Sequence, residues 1–233
     1  MSAAPPSVVP VADHAVLVVF GDEIDDSTIA RIHALDSALS HNPPVGMTEI
    51  VPALTSVLVA FDPLITDHSA ITAAIFASVS APIDRSPGAS HLIDVCYDGE
   101  HGPDLRVVAE RTGLNASAVV DAHLSGIYSV GMYGFAPGFA YLYGTPDAIQ
   151  LPRNPTPGPA RPPGSVIIAG QQCLIIPSAL STGWFAIGRC PIPMLTGDPE
   201  RPFLFDVGDA VTFRRIDATE LHRRLDDDTA RVR

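Results

Sequence analysis

Arg153 lies in the run QLPRNPTPGP and Arg189 in WFAIGRCP, each flanked by apolar residues, proline or glycine. A guanidinium in such a setting needs an anion, and its planar fork matches a carboxylate or phosphate in bidentate fashion. Each arginine therefore either grips an acidic substrate or closes a structural ion pair with an acid such as Asp209. Phe139 and Tyr141 follow Pro137–Gly138 at strand spacing, which points both side chains the same way. They either line a pocket floor, with the Tyr141 hydroxyl donating to a substrate carbonyl, or pack in a core. Gly170–Gln171–Gln172 follows an apolar run. The backbone at Gly170 can approach a ligand closely and Gln171 can read an amide edge, or the segment merely reverses the chain. Trp184, the one tryptophan, is a pocket wall or a core residue. His123, immediately upstream of this region, is a general base or a hydrogen-bonded packing residue beside Val119 and Val120.

What is missing limits the chemistry. All 14 basic residues are arginine. A Schiff-base lysine, a Walker A lysine and a Ser–Lys pair are excluded, so a P-loop of this chain binds no ATP. Ser165 is outside any GxSxG elbow, and no histidine lies between residues 131 and 208 to activate it. Cys96, Cys173 and Cys190 are far apart, and no histidine–carboxylate set has metal-ligand spacing, so no metal is predicted. A net charge of −12 disfavours a nucleic-acid or anionic-membrane partner. The chain shows neither signal-peptide pattern nor spanning segment, and a cytoplasmic location is expected. A mean hydropathy of +0.24 favours a packed globule. Charged residues are only 17%, below the usual quarter, so a partner is expected to cover part of the surface.

Two groups of elements must position these side chains. Ala15–Phe20 reads as a buried strand, and Asp25–Ser27 caps a helix with Ile29, Ile32, Leu35 and Leu39 along one face. Strands at Thr48–Val51 and Ser56–Phe61 and a helix at Asp67–Val79 follow, before a linker-like Ala81–Ala89. The order β-α-β-β-α predicts a small α+β domain over residues 1–86, ferredoxin-like in arrangement. From 87 to 233 a strand at His91–Tyr97 precedes two short helices, one ending at Gly113 and one capped by Asn115. Residues 131–208 then carry 13 of the 23 prolines and 11 of the 18 glycines, with short apolar runs such as Ser165–Ala169 and Leu174–Ile176 between them. Short strands and tight loops of this kind predict a barrel or sandwich. A strand at Val211–Arg215 and one helix close the sequence.

The segments GFAPGFAYL, LPR, PPGSVIIAG, GW..IGR and VGDAVTF, in that order, resemble the family of allophanate hydrolase subunit 1, whose members also serve as 5-oxoprolinase subunits and include KipI-type kinase inhibitors. GDEID, EIVPALTSVLVAFDP, IDVCYDGEHGPDL and HLSGIYSVGMYGF extend the resemblance over nearly the whole chain. It implies a small α+β domain followed by a mainly β, cyclophilin-like barrel, the two resembling one half of a urea carboxylase carboxyltransferase domain. It implies a second carboxyltransferase-like subunit, of the allophanate hydrolase subunit 2 type or its 5-oxoprolinase counterpart, and leaves room for a third. The activity so implied is ATP-dependent opening of a cyclic lactam, 5-oxoproline to glutamate, or allophanate hydrolysis. This chain would form part of the substrate site and be inactive alone. The alternative is a KipI-like module that inhibits a histidine kinase. Arg153 matches the first of two PR dipeptides usual in the family; Gly158 replaces the second arginine, with Arg161 close by.

Overall fold

The computed structural model describes residues 4–79 and 88–231, with side chains as far as Asp227. The chain divides into two compact units, Met1–Pro87 and Gly88–Arg233. Most of the linker-like stretch, residues 81–87, lies outside the described residues.

Period-2 alternation builds the first unit. The strands are β1 (Ser7–Ala12), β2 (Ala15–Val19), β3 (Met47–Pro52) and β4 (Ser56–Phe61), forming an antiparallel sheet of order β1-β2-β4-β3. Val16 and Val18 of β2 and Val57, Val59 and Phe61 of β4 share its buried face. Helices α1 (Asp26–His41) and α2 (His68–Val79) complete this core through Ile32, Leu35, Leu39, Ile71 and Ile75. The Asp25 carboxylate starts α1 by accepting from the Thr28 N–H at 2.9 Å, which satisfies one of the free first-turn donors. β2 and β3 run the same way with β4 between them, a split β-α-β arrangement. β1 is an addition to the expected β-α-β-β-α order. It is an edge strand that contains Pro10 and exposes most of its side chains, so no alternation marks it in the sequence.

The second unit begins with β5 (Ser90–Cys96), α3 (Leu105–Thr112) and α4 (Ala116–Ser125). Then come β6 (Tyr128–Tyr133), β7 (Ala140–Tyr143), β8 (Ala160–Arg161), β9 (Ser165–Ala169), β10 (Gln172–Ile175), β11 (Leu180–Ser181), β12 (Phe185–Arg189), β13 (Ala210–Ile216) and α5 (Ala218–Arg231). Of the two expected forms, the structure takes the barrel: β10-β7-β6-β13-β5-β12-β9 closes on itself, while β8 and β11 make a separate ribbon. All barrel pairings are antiparallel except β5–β13, which runs parallel from Ser90 opposite Ala210 to Cys96 opposite Ile216.

Strands facing a core on one side should alternate, yet Ser165–Ala169 and Leu174–Ile176 are continuously apolar. The barrel explains this. Val166 and Ile168, Cys173 and Ile175, and Phe185 and Ile187 enter the main core. The residues between them, Ile167, Leu174 and Ala186, join Phe139 and Ile176 in a second buried cluster on the outer face of these strands. Strands buried on both faces read as unbroken apolar runs. That outer layer, covered in part by Tyr141, Leu180 and Trp184, is the base of the site described next.

Candidate functional site

A cleft of about 200 Å³ opens over the outer apolar layer, lined by Phe139, Tyr141, Ile167 and Leu174 below and by Arg153, Pro157, Phe135 and Leu180–Trp184 around it. The volume is below the ~300–1,000 Å³ of drug-sized sites, so a small molecule fits. The wall is made of chain segments pinned by backbone contacts: Asn154 N–H donates to Gly183 C=O at 2.8 Å and Gly158 N–H to Thr182 C=O at 2.9 Å. Gly183 permits this approach, since a Cβ there would collide with the Asn154 carbonyl oxygen. Tyr141 and Trp184 meet edge to face with centroids 6.1 Å apart. Burial raises the Tyr141 pKa, so its hydroxyl stays a donor. Arg153 is exposed at the rim and has no ion-pair partner among the described residues. Phe135, 79% exposed and at φ +69°, stands at the same rim and packs on Phe139 at 5.0 Å. A non-glycine residue in that region is uncommon and marks a backbone held by its surroundings.

The structure thus brings together Arg153, Tyr141 and Trp184 of the sequence candidates. The others lie elsewhere. Gly170 and Gln171 form the β9–β10 turn at φ +54° for Gly170, where Gln171 C=O accepts from Gly144 N–H at 3.3 Å and Thr145 N–H at 3.2 Å. Neither lines this cleft. His123, read from the sequence as a general base or a packing residue, is fully buried. Its Nδ1 bonds the Tyr97 hydroxyl at 2.8 Å, its Nε2 is 3.6 Å from the Cys173 sulfur, and its ring packs 4.4 Å from Phe213. Burial depresses its pKa to about 3, so the imidazole stays neutral in the barrel core and meets no solvent.

Arg189 lines a second, more polar cleft of about 260 Å³ with Glu100, His101, Pro103, Arg161, Pro162 and Ser165. Its Nε is buried with no hydrogen-bond partner among the described residues. The acid considered for it, Asp209, is engaged instead by His91 Nε2 at 2.7 Å and by the N–H groups of Ala89 and Asp206. Arg161 donates to both oxygens of Asp104 at 2.8 Å, and Asp104 also accepts from the Ala186 N–H. Arg161 is therefore tied to this cleft, and its Nη2 lies 3.9 Å from where a Cβ on Gly158 would stand. The Ser165 hydroxyl donates to Pro162 C=O at 2.8 Å. Cys190, adjacent to Arg189 in sequence, is buried, and its thiol is pushed up to about 12. Sequence reading did not single out Asp104 or Phe135, although Phe135 lies within GFAPGFAYL and Asp104 follows Gly102–Pro103; the contacts that bring them to the clefts are long-range.

Comparison with known proteins places this geometry in a family. Residues 6–205 match the family model for the carboxyltransferase domain, subdomains C and D. A 5-oxoprolinase subunit from Bacillus subtilis is 34% identical over 225 residues, covering 91% of this chain and 93% of that protein. The solved structure of TTHA0988 superposes with a TM-score of 0.77 at 32% identity, covering 89% of this chain and 41% of that longer one. The urea carboxylase of Kluyveromyces lactis shares the fold at a TM-score of 0.74 and 18% identity, over 97% of this chain and 23% of that one. The chain belongs to the family of the carboxyltransferase domain, subdomains C and D.

Proposed function

We propose that this chain is one subunit of an ATP-dependent hydrolase complex that opens a small cyclic amide acid of the 5-oxoproline type, and that the apolar cleft is its share of the substrate site. The observation that carries this reading is the convergence of a rim cation, Arg153, which has no ion-pair partner among the described residues, with a phenol donor and an indole wall, Tyr141 and Trp184, over a small apolar floor. Arg153 pairs with the substrate carboxylate through its guanidinium fork. The Tyr141 hydroxyl donates to the lactam carbonyl, and backbone N–H groups stabilise negative charge as the amide bond is attacked. Trp184 and Phe139 exclude water, which strengthens both contacts.

No lysine is present and no described residue set activates a nucleophile, so the chemistry is completed by a partner. The likeness to TTHA0988 supports this, since the matched region is a minor part of that longer chain. Nucleotide binding falls to another subunit. We read the barrel unit as cyclophilin-like, behind an α+β domain that ends near residue 86. The test is ATP hydrolysis dependent on 5-oxoproline, measured in the reconstituted complex with and without this chain. Activity should collapse when the chain is omitted, and equal activity without it would sink the reading.

A further inference from the structure

We propose that Glu100, His101 and His222 form a binding site for a divalent transition metal ion, zinc(II) being the best match, at the wall of the second cleft. One ligand atom from each of the three side chains lies within 4.8 Å of the other two. Zinc bonds to imidazole nitrogen and carboxylate oxygen are ~2.0–2.2 Å long, so a shared ion needs these atoms somewhat closer. Glu100 and His222 are exposed and can rotate to close that gap, while His101 is buried and fixed. Two imidazoles and one carboxylate are also the donor set zinc takes where three protein ligands leave a fourth position open.

The support is built into the fold. His101 ends a single 3-10 turn, Gly99–His101, that follows β5, and its N–H donates to Asp98 C=O at 3.1 Å. His222 comes from α5, which is clamped to β5 by Arg224 bonding the Asp94 carboxylate at 2.6 Å. The two rings meet edge to face with centroids 5.3 Å apart. Glu100 supplies a charge that would offset part of that of a divalent ion. Glu100 and His101 also line the cleft that holds Arg189. The open position would thus take water or a carboxylate that the guanidinium also attracts.

The experiment titrates the metal-free full chain with zinc(II) by calorimetry and with cobalt(II) by visible absorption. One equivalent should bind saturably, with cobalt bands of a low-coordinate nitrogen–oxygen site. His222→Ala, on the exposed face of α5, should weaken binding by about a hundredfold. Glu100→Gln should weaken it as well. Zinc should raise the melting temperature of the parent chain and leave that of the His222→Ala chain unchanged, while the two metal-free proteins melt alike. Absence of saturable binding, or equal binding by the parent and His222→Ala chains, would overturn the proposal.

Discussion

Arg153 stands at the rim of an apolar cleft and pairs with no carboxylate among the described residues. Its loss should therefore be read in binding, with folding nearly untouched. Arg153→Ala in the reconstituted complex is expected to raise KM for a carboxylate substrate by about ten- to a hundredfold, the scale of a charged hydrogen bond, and Arg153→Lys to recover only part of it. Chemical denaturation of the variant should stay within about 0.5 kcal/mol of the parent. His123 behaves in the opposite way. Its folded pKa is held near 3 against an ordinary 6.5, so the unfolded chain binds the extra proton between those values. Its contribution to stability is fully present above pH 6.5 and falls with pH by up to about 1.4 kcal/mol per unit. In His123→Gln the slope of stability against pH between 6.5 and 4.5 should be shallower, while stability at pH 7.5 is reduced by the lost packing. Urea titrations at several pH values measure both. An unchanged slope would place the proton elsewhere. The residue types of the site were legible in the sequence because an arginine among prolines and apolar residues needs an explanation. The assignment of Arg153 to one cleft and Arg189 to another was not, since Arg153 lies in a loop, Arg189 ends β12, and the contacts around both are long-range.

Elements legible in the sequence are those with local signals. The cap at Asp25, the cap at Asn115 accepting from the Ala118 N–H at 2.9 Å, and Gly113 ending α3 all rest on residues within a few positions of each other. The edge strand β1 and the β5–β13 pairing lack such signals and depend on tertiary neighbours. The Glu100–His101–His222 cluster was invisible for the same reason, because barrel closure alone brings α5 beside the turn after β5. One element-level device can be tested at Gly183. Gly183→Ala should push the 153–157 segment away from the 180–184 wall. Reduced substrate affinity together with a melting point lower by a few degrees is expected, because a Cβ at Gly183 would collide with the backbone carbonyl of Asn154. A second device is Asp94, a buried carboxylate held below its usual pKa by Arg214 and Arg224. It joins β5, β13 and α5. Asp94→Asn should cost about 1–3 kcal/mol at neutral pH, less than a fully buried pair because both arginines are partly solvated.

At the scale of the molecule, the chain has a family's fold and two small clefts in its second unit, but no self-sufficient catalytic set among its described residues. The purified chain alone is expected to show no 5-oxoproline-dependent ATP hydrolysis, and activity should appear on addition of the partner subunits. Should the chain instead suppress autophosphorylation of a histidine kinase without any small molecule, the kinase-inhibitor alternative would replace the hydrolase reading. The parallel pairing of β5 with β13 also has a kinetic consequence. β5 is the first barrel strand to be synthesised, yet both of its neighbours, β12 and β13, come near the end of the chain. During translation it must wait with two unpaired edges while the hairpins between β6 and β12 form behind it. Loops of that length close slowly, and exposed edges invite association with other chains. A nascent chain stopped short of Ile216 therefore holds an open sheet, and release of the last strand is the event that makes the barrel safe from aggregation.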